Sequence, residues 1–374
     1  MSLSHDPYDI WASPRLGKMK YRWSNGEFLP KLVIPFVGIV EVLFPVFFRR
    51  ILGTKKHKFA HVEALKYCYG DLESGQFLET VSDLRVNDSA WGLPFGWYSK
   101  NGIYDGNTPY ITNTPYVMEA LISCAADQRY HDKATDLFNG TWDFLESLPI
   151  KYENKNMLAL SYAPVDEPRI VINANSYSAF AYALHVAHGR QEIKETALQR
   201  SRMIIAWLLD QQNSDGSWDY YADSEVGNFI DCFHSCFIIK NLIKVRALID
   251  LDNILLDEAI KKGWEFIRNE LYDSESHLCR RFSGRGHRDP FQYELYDQAE
   301  YLGLLVDFGL LKEAKKLVAV VDEEFRRGDS WYCRIDIFGR RWGKSFMRWG
   351  IVPFIYHKKR LEKEDGESGL CAES

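Results

Sequence analysis

A surplus of basic residues is missing from this chain: 46 Lys and Arg stand against 52 Asp and Glu, a net charge of −6. That balance argues against a general nucleic-acid binder. Paired cysteines are missing too. The seven that are present (Cys68, Cys124, Cys232, Cys236, Cys279, Cys333 and Cys371) are odd in number, scattered and never spaced as CxxC, which fits a reducing compartment. No apolar run reaches the ~20 residues that span a bilayer. No DxDD acid motif is present to protonate an olefin, so a terpene-cyclase chemistry has no acid. The opening, MSLSHDPYDIWASPRLGKMKYRW, puts charges and aromatics where a signal peptide needs an apolar core, and the expected location is cytoplasmic.

What is present is ordinary in bulk and unusual in one respect. Hydrophobic residues make up 46% and charged residues 26%, the proportions of a soluble globular protein with ample core material. Aromatics reach 14%, with 11 Trp, 21 Tyr and 22 Phe, more than packing alone requires, so stacking surfaces are expected. The stretch 32–48 (LVIPFVGIVEVLFPVFF) is apolar except for Glu41 and is broken by Pro35, Gly38 and Pro45. Basic residues flank it on both sides, which suits a segment dipping into an anionic membrane surface; the alternative is a buried core helix.

Three regions follow: an N-terminal segment 1–58, a continuous domain 59–357, and a polar tail 358–374. Within the domain, apolar positions recur at helical spacing, and the helices come in pairs joined by short turns. The expected pairs are 59–69 with 73–86, 115–126 with 129–148, 175–187 with 191–212, 229–248 with 254–271, and 294–308 with 311–327. A last helix at 345–357 needs a partner from the N-terminal region. The short turns recur roughly every sixty residues, as in a repeated helical hairpin. The expected fold is therefore all-α, an (α/α) toroid of about six helical hairpins. Five connections between pairs are long (87–114, 149–174, 213–228, 272–293 and 328–344), and in a closed ring all would meet on one rim.

Specific motifs add to this frame. The run AWLLDQQNSDGSWDYY, then NFIDCFHSCFIIKNL, with WGLPFGW, GNTPYITNTPYVMEAL, INANSYSAF and FMRWGIVPFIY, resembles α/α-toroid, six-hairpin glycosidase-like proteins encoded with bacterial exopolysaccharide, capsule and O-antigen genes. Some of these are known as VpsJ-like polysaccharide biosynthesis proteins. The resemblance implies the toroid and a role in surface polysaccharide or lipopolysaccharide biosynthesis more directly than it implies a reaction. Where such proteins carry a His-containing motif late in the chain, this one reads Tyr-Glu-Leu-Tyr-Asp-Gln over 293–298.

Candidate chemistry centres on Asp231 and His234, three apart and so on one face of a helical first turn. A neutral imidazole beside a carboxylate is a general base; a capping Asp with a hydrogen-bonded core His is the structural alternative. Asp166 and Asp215 are the further catalytic candidates, because glycoside hydrolysis needs a pair of carboxylates. Trp91, Trp97, Tyr110, Tyr162, Trp218 and Trp349 are candidates for stacking on sugar rings. Asn113 and Asn175, at helix starts, can cap or bind hydroxyls. Arg280, Arg281 and Arg348, with Arg285 and His287 in the same loop, suit acidic groups such as uronates or phosphates, and Asp297 completes the substrate set.

Cys232 and Cys236 flank His234, yet no second ligand pair has zinc-like spacing, so neither metal nor cofactor is expected. The reading is a hydrolase, lyase or epimerase acting on an oligosaccharide or polysaccharide, lipid-linked in one version. Its rivals are a non-catalytic glycan-binding scaffold of a membrane synthase and an isoprenoid-handling toroid.

Overall fold

The computed structural model describes residues 3–106, 108–250, 253–284 and 289–372. The N-terminal segment forms a short 3-10 turn (Asp9–Ala12) and helices α1 (Pro14–Ser24), α2 (Phe28–Leu43) and α3 (Pro45–Leu52). The paired helices then follow as α4 (Ala60–Cys68) with α5 (Ser74–Asp83), and α6 (Thr114–Cys124) with α7 (His131–Asn139) and α8 (Thr141–Ser147). Next come α9 (Ile172–His188) with α10 (Lys194–Asp210), α11 (Cys232–Leu248) with α12 (Asn253–Phe266), and α13 (Leu295–Asp307) with α14 (Leu311–Glu324). The last helix, α15 (Val352–Ala372), continues through the polar stretch.

Six helices form the inner ring, each packed on the next: α4, α6, α9, α11, α13 and α15, with α15 returning to α4. The last helix closes the ring by this contact, so closure does not depend on a hairpin partner from the N-terminal region. Inner and outer helices differ because their surroundings differ. Ile172 through His185 of α9 and Leu295 through Val306 of α13 are buried without a break, so every side of these helices packs against protein and their polar residues, such as Asn175, Asp297 and Glu300, are enclosed. The outer α14 buries only Ala314, Leu317 and Val321, a single stripe at helical spacing, and its Lys and Glu residues face water.

The long connections are not plain loops. They fold into small antiparallel pieces: β1 (Trp97–Ser99) with β2 (Gly102–Tyr104), β3 (Ile150–Glu153) with β4 (Leu158–Leu160), and β5 (Tyr272–Asp273) with β6 (Leu278–Cys279). A further sheet joins β7 (Phe291–Glu294), β8 (Arg326–Arg327), β9 (Ser330–Asp336) and β10 (Arg341–Lys344). Each connection also bonds to its neighbour. Ile111 N–H donates to Tyr162 O (3.2 Å), Ile172 N–H to Tyr220 O (3.0 Å), and Cys232 N–H to Arg281 O (2.9 Å), and β7 pairs with β9. The rim is thus a continuous belt of backbone hydrogen bonds, which holds otherwise irregular segments in place.

No single described helix is long and apolar enough to cross a membrane. The pair α2–α3 has the combined apolar length but bends by 118° between its two helices.

Candidate functional site

A pocket of about 280 Å³ opens on the rim of the ring. Its wall takes side chains from the connections 87–114, 149–174, 213–228 and 272–293, from five inner helices, from the turn before α15, and from Tyr8 of the N-terminal segment. The connection 328–344 contributes no lining residue: Trp331 packs on Phe354 and Arg334 binds Glu294, so four of the five long connections converge.

His234 is positioned by its own helix start. Asp231 takes the N-cap position of α11 with extended backbone, and its carboxylate accepts the His234 N–H at 3.2 Å. Both Asp231 oxygens lie 2.8 Å from His234 Nδ1. The carboxylate is buried and the imidazole is partly open to the pocket. With Nδ1 donating to the carboxylate, Nε2 is left as the acceptor, which is the tautomer a general base requires. Phe233 (4.0 Å) and Tyr220 (4.6 Å) hold the ring from the sides.

Across the pocket, Arg348 and Trp349 enter from the turn before α15. Gly350 makes this possible: at φ +106° it adopts a backbone few other residues tolerate, and a Cβ there would lie 2.7 Å from the Tyr296 backbone nitrogen. The Trp349 indole donates to Glu294 (2.7 Å) and meets the edges of Tyr8 and Tyr296. Glu294 is fully buried and also receives Arg281 and Arg334. Arg348 forms a two-pronged pair with Asp6, so its guanidinium is already neutralised.

The rest of the lining is largely phenolic. Burial pushes Tyr110, Tyr116, Tyr177, Tyr220 and Tyr296 well above the usual phenol range, which keeps them protonated donors and poor bases. Behind them, Lys240 on α11 binds Glu300 of α13 (2.7 Å) and the Tyr116 hydroxyl (2.9 Å), and Tyr116 meets the Tyr177 hydroxyl at 2.9 Å. This seam joins four inner helices. His61 of α4 also lines the pocket; burial, with Arg348 and Lys240 nearby, pushes it down to about 3, so it is neutral. Three atoms of lining residues, the Tyr110 hydroxyl, Asn173 Oδ1 and Arg281 Nε, are buried without a partner among the described residues.

Of the residues singled out in the sequence, Asp231, His234, Trp97, Tyr110, Asn113, Tyr162, Arg281, Arg348 and Trp349 line this pocket. Asn113 sits at the N-cap of α6 but makes no capping bond. The others are placed elsewhere. Trp91 and Trp218 are core residues whose indoles donate to Val81 O (2.7 Å) and Leu208 O (2.9 Å), so neither presents a face to a sugar. Asn175 is used up tying β4 to α9 through Leu160 and Val171, and its neighbour Asn173 faces the pocket instead.

Asp215 braces its own turn through Ser217, and Asp166 is exposed on the surface with Lys151. Arg280 turns away onto Asp273 (3.1 Å). Asp297 lies behind Phe233, whose N–H it accepts at 3.0 Å, and burial, with Glu294 beside it, pushes its carboxyl well above the usual carboxylate range. Arg285 and His287 lie outside the described residues.

Tyr8, His61, Tyr116, Tyr177 and Tyr296 line the pocket without having been singled out as its residues. Most sit at inner-helix positions that read as core. The thiols of Cys232 and Cys236 are 4.0 Å apart, and burial raises both. Among the described residues, no group of three His, Cys, Asp or Glu is arranged to hold a metal ion.

No family model matches the chain, and no curated protein matches it in sequence. Solved structures do match in fold. A sugar epimerase from a ruminal bacterium superposes with a TM-score of 0.55 at 14% identity, covering 83% of this chain and 89% of its own. Cellobiose 2-epimerase from Bacillus thermoamylovorans B4167 gives 0.57 at 10% identity, and a D-mannose isomerase 0.57 at 13%; each match covers 81% of this chain and 86% of the other. These similarities establish the α/α toroid.

Proposed function

We propose that this chain is a carbohydrate-active enzyme that moves a proton on a small neutral sugar, as an epimerase or isomerase does. The observation that carries this reading is the buried Asp231 clamped on His234 Nδ1, with the imidazole's other face turned to an aromatic pocket. His234 Nε2 would take the proton from the carbon beside the carbonyl of an open-chain sugar. Asp231 would stabilise the imidazolium, and charge developing on the carbonyl oxygen would meet phenol and amide donors. Return of the proton to the opposite face gives an epimer, and to the neighbouring carbon an isomer.

Three features favour proton transfer on a neutral sugar over the alternatives. Among the described lining residues, Asp231 is the one carboxylate, and it is engaged by His234, so the carboxylate pair of a glycoside hydrolase has no second member. The tyrosines are held protonated, which leaves His234 as the base. Arg281 and Arg348 are each bound to a carboxylate, so the pocket is less suited to uronates than its arginine count suggests. The volume suits one or two sugar units, and sharing a fold with sugar epimerases and an isomerase supports the same class. We place the substrate among the saccharides used to build bacterial surface polysaccharide, on the resemblance to VpsJ-like proteins.

The test is to incubate the protein with neutral aldoses and disaccharides in D2O and follow deuterium entry at C2 by NMR. Exchange is expected, reduced about 10²- to 10⁴-fold in His234→Asn. New reducing ends without exchange would replace this reading with hydrolysis. Glycan binding with no chemical change would replace it with the scaffold.

A further inference from the structure

The pair α2–α3 turns one ion pair inward and most of its large apolar side chains outward. Glu41 turns inward onto Arg49 (2.9 Å), and Arg49 also donates to Asp9 (3.0 Å) and to the Asp6 carbonyl (2.9 Å), so this pair is spent against the body of the protein. On the other side, Phe28, Leu32, Phe36, Phe44, Val46 and Phe47 are each more than half exposed. Phe28, Leu32, Phe36, Ile39 and Leu43 fall at intervals of three and four, one continuous helical face. An apolar patch of this extent facing water marks an interaction site.

The charges around it say what the partner is. Residues 15–58 hold ten Lys and Arg against two carboxylates, Glu27 and Glu41, a surplus of eight in a chain whose net charge is −6. Both carboxylates are already paired, with Arg22 and Arg49. Lys31, Arg50, Lys55 and Lys56 are exposed. Beside α3, a cavity of about 610 Å³ combines Arg50, Lys56 and Lys344 with Val46 and Phe346, cations next to apolar wall. A twofold contact between copies of the chain would set like charges against each other.

We propose that α2–α3 docks on an anionic lipid bilayer, its apolar face entering the acyl boundary and its flanking cations meeting lipid phosphates. The 118° bend between the two helices suits a pair lying in the interface. The docked segment is tied to the pocket wall through Arg49, which bonds to Asp9 and to the Asp6 carbonyl, while Asp6 holds Arg348 and Tyr8 packs on Trp349.

The experiment is co-sedimentation of the full chain with vesicles of phosphatidylcholine, with and without phosphatidylglycerol, alongside light scattering in the absence of lipid. The protein is expected to sediment with the anionic vesicles, less so as salt rises, and each of Arg50→Ala and Lys56→Ala should weaken binding about fivefold. The double variant F36D/F47D should stay in the supernatant while keeping its thermal midpoint and its sugar-exchange activity. Failure of the wild type to sediment, binding that survives F36D/F47D, or a solution dimer that this variant splits would each overturn the proposal.

Discussion

In the helical ring the large apolar side chains face inward; in the hairpin α2–α3 most of them face water. The ring buries Phe77, Phe144, Phe325 and Phe354 almost completely, whereas the hairpin leaves Phe28, Phe36 and Phe47 mostly open. The two regions contain the same kinds of side chain, so the difference lies in the surroundings. The ring stabilises itself by removing apolar area from water. The hairpin gains little that way and is held mainly by polar ties, Arg49 to Asp9 and Glu41, with Asp6 reaching on to Arg348.

Breaking each kind of support should therefore give different results. Phe144→Ala, in the ring, should cost about 3–5 kcal/mol, read as a lowered urea midpoint, because it leaves a cavity among groups that cannot fully close on it. Asp6→Ala should cost a similar ~3–5 kcal/mol, because it strands the Arg348 guanidinium in a buried site. The double variant Asp6→Ala/Arg348→Met should recover most of that loss. If it does not, the tie works through its geometry more than through its charge.

Acid should weaken the ring gradually. His61 is pushed down to about 3, and His357 is held well below its usual range, both by burial. In the folded protein both stay neutral, while the unfolded chain takes up protons near pH 6.5. The unfolded state thus binds more protons as the pH falls below that value, and stability is lost from about pH 6.5 downward, toward pH 3 for His61. The slope is about 1.4 kcal/mol per pH unit for each such His. Urea melts at pH 7 and pH 5 should show it, and His61→Gln should flatten the dependence. The smallest effect belongs to the hairpin: Phe36→Ala should change stability by no more than about 0.5 kcal/mol, since its ring is already exposed in the folded state. A large loss there would mean that the face is covered by protein.

Asp231 and His234 were legible because their spacing is local. Three residues apart at a helix start, they meet whatever the rest of the chain does, and the Asp231 cap bond is part of that geometry. Trp97, Tyr162 and Trp349 were legible as aromatics in rim segments. The tyrosines of the inner helices were not, because a Tyr on a helix buried all round looks like packing; only the ring's curvature turns Tyr116, Tyr177 and Tyr296 toward one opening. Trp91 and Trp218 went the other way, since an aromatic in a rim connection can equally fold under it and cap a helix end with its indole.

The sequence by itself determined the helical pairs, the short turns, the long rim connections and the apolar break-ridden stretch near the start, because helical period, Gly and Pro act over a few residues. Only the tertiary structure decided which arginines remain available. Arg348 meets Asp6 across more than three hundred residues, and Arg334 meets Glu294 where β7 and β9 pair. Charge pairing of that kind depends on distances that exist only after the ring has closed. The same holds for the pocket's chemistry: burial sets the protonation of its phenols and of His61, and burial is a property of the assembled fold.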